Sequence, residues 1–361
     1  MQLNILILPG DGIGAEVTRE AVKVLHKVAA KFHHEPVLSE GLLGGIAIHK
    51  TGNPLPQETI DLALKVDATL MGAVGLPEFD NVAPDKRPER GLLGIRKVLG
   101  VYANLRPVRS YKALLDSSPL KNALVDGVDM IIVRELTGGI YYGTPRGISG
   151  TGAETRAVNT MTYTRAEIER VSHIAFRLAQ GRRRKVTSVD KSNVLENSQL
   201  WRRVVTEMAA DYPDVALDHL LVDNCAMQLI LNPRRFDVVL TENMFGDSLS
   251  DEGAVLAGSI GMLPSASLGG RKPSGAWVGL YEPVHGSAPD IAGQNKANPL
   301  GAIGSIAAML EYSFGLQEEA ARVNSAIEAV LNSGRVTADL KPAGAPATTE
   351  QVGEAVCAAI G

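Results

Sequence analysis

Cysteine is nearly missing from this chain. Cys225 and Cys357 are the only two in 361 residues, too few for a disulfide framework and not spaced as metal ligands, so a reducing compartment is expected. No apolar run approaches the roughly 20 residues that a membrane-spanning helix needs. The strand pattern Leu3 to Leu8 has no basic flank, long apolar region or small-residue cleavage site before it, and the cytoplasm is the expected location. An excess of one charge is also lacking. A net charge of −4 gives no general attraction to nucleic acid or to an anionic membrane. The single basic run, Arg182 to Lys185, follows a helical pattern ending at Gly181 and reads as cationic decoration of a helix end. Internal repeats and low-complexity tracts are absent. What remains is 45% hydrophobic and 21% charged, enough for two globular domains with a substantial core.

Short apolar runs alternate with helical patterns. Strands are predicted at Leu3–Leu8, Asp67–Met71, Asp129–Val133, Lys185–Val189 and Phe236–Leu240, with a helix over Glu16–Phe32 after the first. This alternation predicts an α/β fold with a largely parallel sheet, whose ligands gather at the carboxyl ends of strands. The glycine-rich stretch Gly143 to Glu154 and the alternating stretch Thr155 to Tyr163 predict a protruding antiparallel arm. Gly10-Asp11-Gly12-Ile13-Gly14 follows a strand and precedes a helix, but its third glycine comes one residue too early for a dinucleotide fingerprint. No acidic strand end follows at the right distance either, since Glu35 precedes Pro36, and a Rossmann reading is rejected.

The segment Thr241 to Asp251 places Asp247 and Asp251 four residues apart where a helix should begin, so both project from one face. Two such carboxylates repel unless a cation lies between them, and oxygen ligands suit Mg2+ or Mn2+ rather than zinc. The competing reading makes Asp247 a helix N-cap and Asp251 a solvated first-turn residue. Arg96, Arg106 and Arg134 lie in or beside strands and helices, and guanidinium groups grip carboxylates through paired hydrogen bonds, so a cluster of them suits a di-acid. Arg134 directly follows an apolar strand, where an unmatched cation is costly. Glu89, Leu92, Leu93 and Arg96 share a helical face, although Leu92 and Leu93 could equally fill the core. Lys191, just beyond a strand, suits a base if desolvated near other cations, with Tyr141 as a possible proton donor.

Together these motifs, with Asp190 to Asn193, Val222-Asp223 and Glu282 to Asp290, resemble the β-decarboxylating dehydrogenases over nearly the whole chain. The resemblance implies a two-domain isocitrate/isopropylmalate dehydrogenase-like fold, non-Rossmann, with a mixed and largely parallel sheet and a β-arm in the second domain. It implies a discontinuous cofactor-binding domain, residues 1–100 and 258–361, and a metal, substrate and dimerisation domain, residues 101–257. Arg96, Arg106 and Arg134 would hold the carboxylates of a malate-type substrate. Glu89, Leu92 and Leu93, with Val194 opposite, would offer an apolar pocket to an isopropyl group where isocitrate enzymes carry hydroxyls or amides. Asp223, Asp247 and Asp251 would hold Mg2+ or Mn2+, Lys191 would take the hydroxyl proton, and Tyr141 would protonate the enolate. Lys191 and Asp223 would serve the partner's site in a homodimer. Glu282, His285, Gly286, Ser287, Ala288, Asp290 and Asn298 would bind the cofactor, with Asp290 on the adenosine ribose favouring NAD over NADP. The residues alone leave Asp290 as a helix N-terminal residue and His285 without a duty. The rival readings are a sister enzyme acting on D-malate, tartrate, isocitrate or homoisocitrate, and a non-catalytic regulatory subunit. Ala15, Glu242 and Ser248 depart from the common family pattern, and Glu242 would add negative charge near the metal.

Overall fold

The structure is a computed structural model that describes residues 1–361 except Pro84, Asp85 and Ser274. In chain order its strands are β1 (Gln2–Gly10), β2 (Glu35–Glu40), β3 (Ala68–Ala73), β4 (Ala103–Arg109), β5 (Asp129–Glu135), β6 (Gly147–Ser149), β7 (Arg156–Val158), β8 (Lys185–Asp190), β9 (Ala216–Leu221), β10 (Val238–Thr241), β11 (Pro264–Arg271) and β12 (Trp277–Pro283). The chain divides into two compact units: Met1–Val101 with Ser110–Asn122 and Ala254–Gly361, and Tyr102–Arg109 with Ala123–Gly253.

In the first unit the strand order is β2-β1-β3-β12-β11. β1 runs parallel to β2 and β3, β3 parallel to β12, and β11 antiparallel to β12. Every residue of β3 is buried, as expected of a parallel strand covered on both faces. Helices Gly14–Lys31, Leu300–Tyr312, Gln317–Ser333 and Thr349–Ile360 pack on one another, and the almost wholly apolar Leu300–Tyr312 is the most deeply buried. Leu3, Ile5, Leu6 and Leu8 of β1 have no exposure, and burying each contributes about 1.5–3 kcal/mol. Gly10 and Gly12 are glycine for local reasons. Both have positive φ, and a Cβ would stand 1.9 Å from the Ala73 carbonyl oxygen and 2.1 Å from that of Ser287, respectively. The glycines of the Gly10–Gly14 turn thus let backbones approach, consistent with rejecting the dinucleotide fingerprint.

In the second unit the order is β4-β5-β10-β8-β9, with β4 and β5 antiparallel and the other pairs parallel. Helices Arg165–Gln180 and Glu196–Met208 pack together, and the first opens on a Thr164/Glu167 capping box. The arm is present but small. β6 and β7 pair antiparallel over three residues each, so the strand expected across Thr155 to Tyr163 shrinks to Arg156–Val158. The basic run turns inward: Arg182 binds Asp129 and Asp237, and Arg183 donates to the Phe236 carbonyl.

All five expected strands form, and the first helix spans Gly14–Lys31. Five others escape the sequence pattern. β2 contains Pro36 but lies at a sheet edge, where a missing N–H is tolerated, and β9 is a polar edge strand carrying Asp218 and His219. β4 is interrupted by two arginines and Pro107, and β11 and β12 form a glycine-bearing hairpin with a register shift near Leu268. Asp290, which the residues alone placed at a helix N-terminus, lies in a turn and not at a helix start.

Candidate functional site

The chemistry of the second unit begins at the end of β5. Antiparallel register sets Arg134 opposite Asn104, two residues before Arg106 on β4, and parallel register sets Arg134 beside Thr241 on β10. Helix Asn243–Ala254 follows immediately, so Asp247, Ser250 and Asp251 face the same arginines at i, i+3 and i+4. Arg134 is 3% exposed. Its Nε donates to Asn243 Oδ1 at 2.8 Å, and its Nη1 pairs with Asp247. Arg106 donates to Asn104 Oδ1 at 2.8 Å and to Ser250 Oγ at 2.5 Å, and its Nη1 lies 3.5 Å from both Asp247 and Asp251. Two guanidinium groups and two carboxylates therefore balance each other.

Tyr141 completes this cluster by donating to Asp247 Oδ2 at 3.0 Å, with the Arg134 guanidinium 5.8 Å from its ring centre. Burial first, and then the negative charge of Asp247, pushes the Tyr141 hydroxyl up to about 12, so it is a proton donor at neutral pH. Partial burial raises the Asp251 carboxyl, with Asp247 adding to the effect and Arg106 opposing it.

The N-cap reading of Asp247 fails. The helix starts four residues earlier, and the cap is Glu242, whose carboxylate accepts Met244 N–H at 3.1 Å and Phe245 N–H at 2.7 Å. Glu242 also accepts from Tyr163 Oη at 3.1 Å, and burial raises its pKa. Its charge is thus committed to the helix start. Asn243 ties the cluster together by donating to the carbonyls of Leu136 and Gly138, while its N–H donates to Tyr163 Oη. Asn104, Tyr163, Glu242, Asn243 and Ser250 carry no chemistry themselves, and reasoning from the sequence missed their positioning role. The clearest available signal was an amide and a carboxylate at the junction of strand and helix.

Lys191 and Asp223 form a separate pair, Nζ to Oδ1 at 2.7 Å, and the hydrogen bond from Lys191 holds the Asp223 carboxyl below its usual range. Among the described residues no group of three or more His, Cys, Asp and Glu side chains gathers to hold a metal, so one chain does not bring Asp223 to Asp247 and Asp251. Val194, beside Lys191, is 61% exposed.

In the first unit Arg96 is buried and pairs with buried Glu282 at 2.5 Å. On the same helix, Pro88–Leu99, Glu89 is exposed and Leu92 and Leu93 are half-buried, while Ile95 fills the core. The leucines thus remain available to a ligand. Along Glu282–Asn298, Ile13 N–H donates to the Ser287 carbonyl at 2.8 Å, and Ala288 has φ of +37°. The buried His285 lies beside the Gly286 carbonyl, with Nδ1 to oxygen 2.9 Å, and its Nε2 is buried without a hydrogen-bond partner among the described residues. Burial lowers its pKa and favours the neutral ring. An orphaned buried ring nitrogen, on a segment that also carries the exposed Asp290, suits a polar ligand such as a dinucleotide. Asn298 is otherwise engaged. Its Oδ1 accepts Leu300 N–H at the start of a helix, and its Nδ2 donates to Asp339.

A family model described as isocitrate/isopropylmalate dehydrogenase matches residues 4–356. The 3-isopropylmalate dehydrogenase of Geobacillus kaustophilus is 58% identical over 94% of this chain and 91% of that protein. That of Bacillus subtilis is 54% identical over 100% of this chain and 98% of that protein. Among solved structures, isocitrate dehydrogenase from Methylococcus capsulatus matches with a TM-score of 0.87 at 33% identity, covering 99% of both chains.

Proposed function

The chain belongs to the isocitrate/isopropylmalate dehydrogenase family, and from that premise we propose that it oxidises and decarboxylates (2R,3S)-3-isopropylmalate with NAD, giving 4-methyl-2-oxopentanoate and CO2 in leucine biosynthesis. The observation that carries this reading is the meeting of Arg106 and Arg134 with Asp247 and Asp251 beside Tyr141. A di-acid can exchange its own carboxylate for the aspartates on these guanidinium groups, freeing the aspartates for a cation.

Arg96, Arg106 and Arg134 bind the carboxylates of the substrate, and Leu92 and Leu93, with Val194, receive the isopropyl group. Lys191 takes the hydroxyl proton. Tyr141, whose hydroxyl holds its proton well above neutral pH, delivers one to C3 after CO2 leaves, so the two proton steps cancel. When bound, Mg2+ or Mn2+ on Asp223, Asp247 and Asp251 supplies polarisation of the oxygen at C2, and NAD supplies the hydride acceptor. The Glu282–Asn298 segment takes the dinucleotide, with Asp290 on the ribose hydroxyls repelling a 2′-phosphate. Val194, Met227 and Leu231, each more than half exposed, support a homodimer in which Lys191 and Asp223 serve the partner's site. The first unit is then the cofactor domain, and the second carries metal, substrate and the dimer face. No described helix is long and apolar enough to cross a membrane, and the proposed location is the cytoplasm.

The test compares kcat/KM for 3-isopropylmalate, D-malate, tartrate, isocitrate and homoisocitrate, with NAD and with NADP. Preference for an acid lacking the isopropyl group overturns the substrate. Inactivity of the purified chain with every acid turns the reading to a regulatory subunit.

A further inference from the structure

Glu16 lies in the first turn of helix Gly14–Lys31 and is 8% exposed, where a carboxylate needs partners. Both of its oxygens have one: Oε1 accepts the N–H of Gly293, and Oε2 accepts that of Asn295 at 3.1 Å. Gly293 holds φ of +76°, which glycine adopts freely, and Asn295 holds φ of +56°, a left-handed conformation uncommon for a residue with a side chain. Asn295 is also gripped from helix Thr349–Ile360. Its carbonyl accepts Thr349 N–H and its Oδ1 accepts Glu350 N–H, each at 3.0 Å. At the other end of the segment, Ile13 N–H holds the Ser287 carbonyl. Residues 13–16 therefore fix the backbone on both sides of Asp290. A cleft of about 600 Å³ opens beside this anchor, lined by Glu16, Arg19, Lys23, Gly293, Asn295 and Glu350.

We propose that Glu16 is a positioning residue for the dinucleotide, pre-forming the segment that carries Asp290 so that NAD binds without having to order it. This inference rests on the reading of Glu282–Asn298 as the NAD segment. Preorganisation acts on affinity and leaves the chemical step alone. Glu16→Gln retains only one acceptor and presents an amide donor to the second N–H.

The experiment measures NAD binding calorimetrically and amide exchange at Gly293 and Asn295 on the full chain, wild type and Glu16→Gln, together with steady-state kinetics. The expected result is a rise of about 10-fold in Kd and KM for NAD, faster exchange at both amides, and kcat at saturating NAD and KM for the acid within about 2-fold. An unchanged Kd overturns the proposal, even if the melting temperature falls, because the residue is then only structural. If Glu16→Gln does not fold, Glu16→Asp, which keeps the charge but is shorter by one methylene, carries the same comparison with a smaller expected loss. If the wild-type chain itself fails to bind NAD, the cofactor assignment falls and this inference falls with it, a result distinct from a difference between variant and wild type.

Discussion

Nearly every fixed point of the cluster in the second unit is a side chain, Arg106 and Arg134 against Asp247, Ser250 and Asp251, whereas the Glu282–Asn298 segment of the first unit is held mostly through its backbone. The cluster sits on strands and a helix held by their own backbone hydrogen bonds, so a conservative change in its chemistry should have little effect on the fold. Beyond Pro283, where β12 ends, the segment has no helix or strand of its own, and its shape depends on carboxylate and amide anchors from distant parts of the unit. Substitution in the cluster should therefore separate activity from stability, while substitution in the segment should mix them.

The sharpest test of that contrast is Asp247→Asn. The amide keeps an acceptor for Arg134, turns an N–H donor toward the Tyr141 hydroxyl and loses the charge, so kcat/KM should fall by at least ~10²–10³-fold with only a small change in the thermal melt. A large loss of fold, with activity retained in the folded fraction, would return the pair to a structural role. Tyr141→Phe should lower kcat by ~10²–10⁴-fold, measured at saturating substrates. Because the Tyr141 hydroxyl titrates at about 12, its donor form persists below that pH and is lost only above it. A falling limb of kcat near neutral pH that disappears in the phenylalanine variant would contradict the assignment. The smallest expected effect belongs to the segment. Asn298→Ala removes the acceptor for Leu300 N–H and should cost about 0.5–2 kcal/mol in chemical denaturation, with NAD affinity reduced only modestly. A large loss of NAD affinity at unchanged stability would make Asn298 a direct ligand and weaken the contrast.

Strands rich in buried apolar and β-branched residues, β1, β3, β5, β8 and β10, were legible because burial on both faces selects such residues at adjacent positions. β2, β4 and β9 were not, because proline, arginine or edge polarity breaks the run while the ladder still forms. The same division holds at the site. The shared face of Asp247 and Asp251 follows from helical spacing, and the cation after strand β5 from its position, so both could be read locally. That Arg96 meets Glu282, and that Glu16 holds Gly293 and Asn295, are pairings across as many as 279 positions of chain. By itself the sequence determined which groups are available, their periodicity and the α/β alternation. Only the tertiary structure decided which partner each buried charge would have, because a hydrogen bond depends on distances of about 3 Å between groups that local spacing does not bring together.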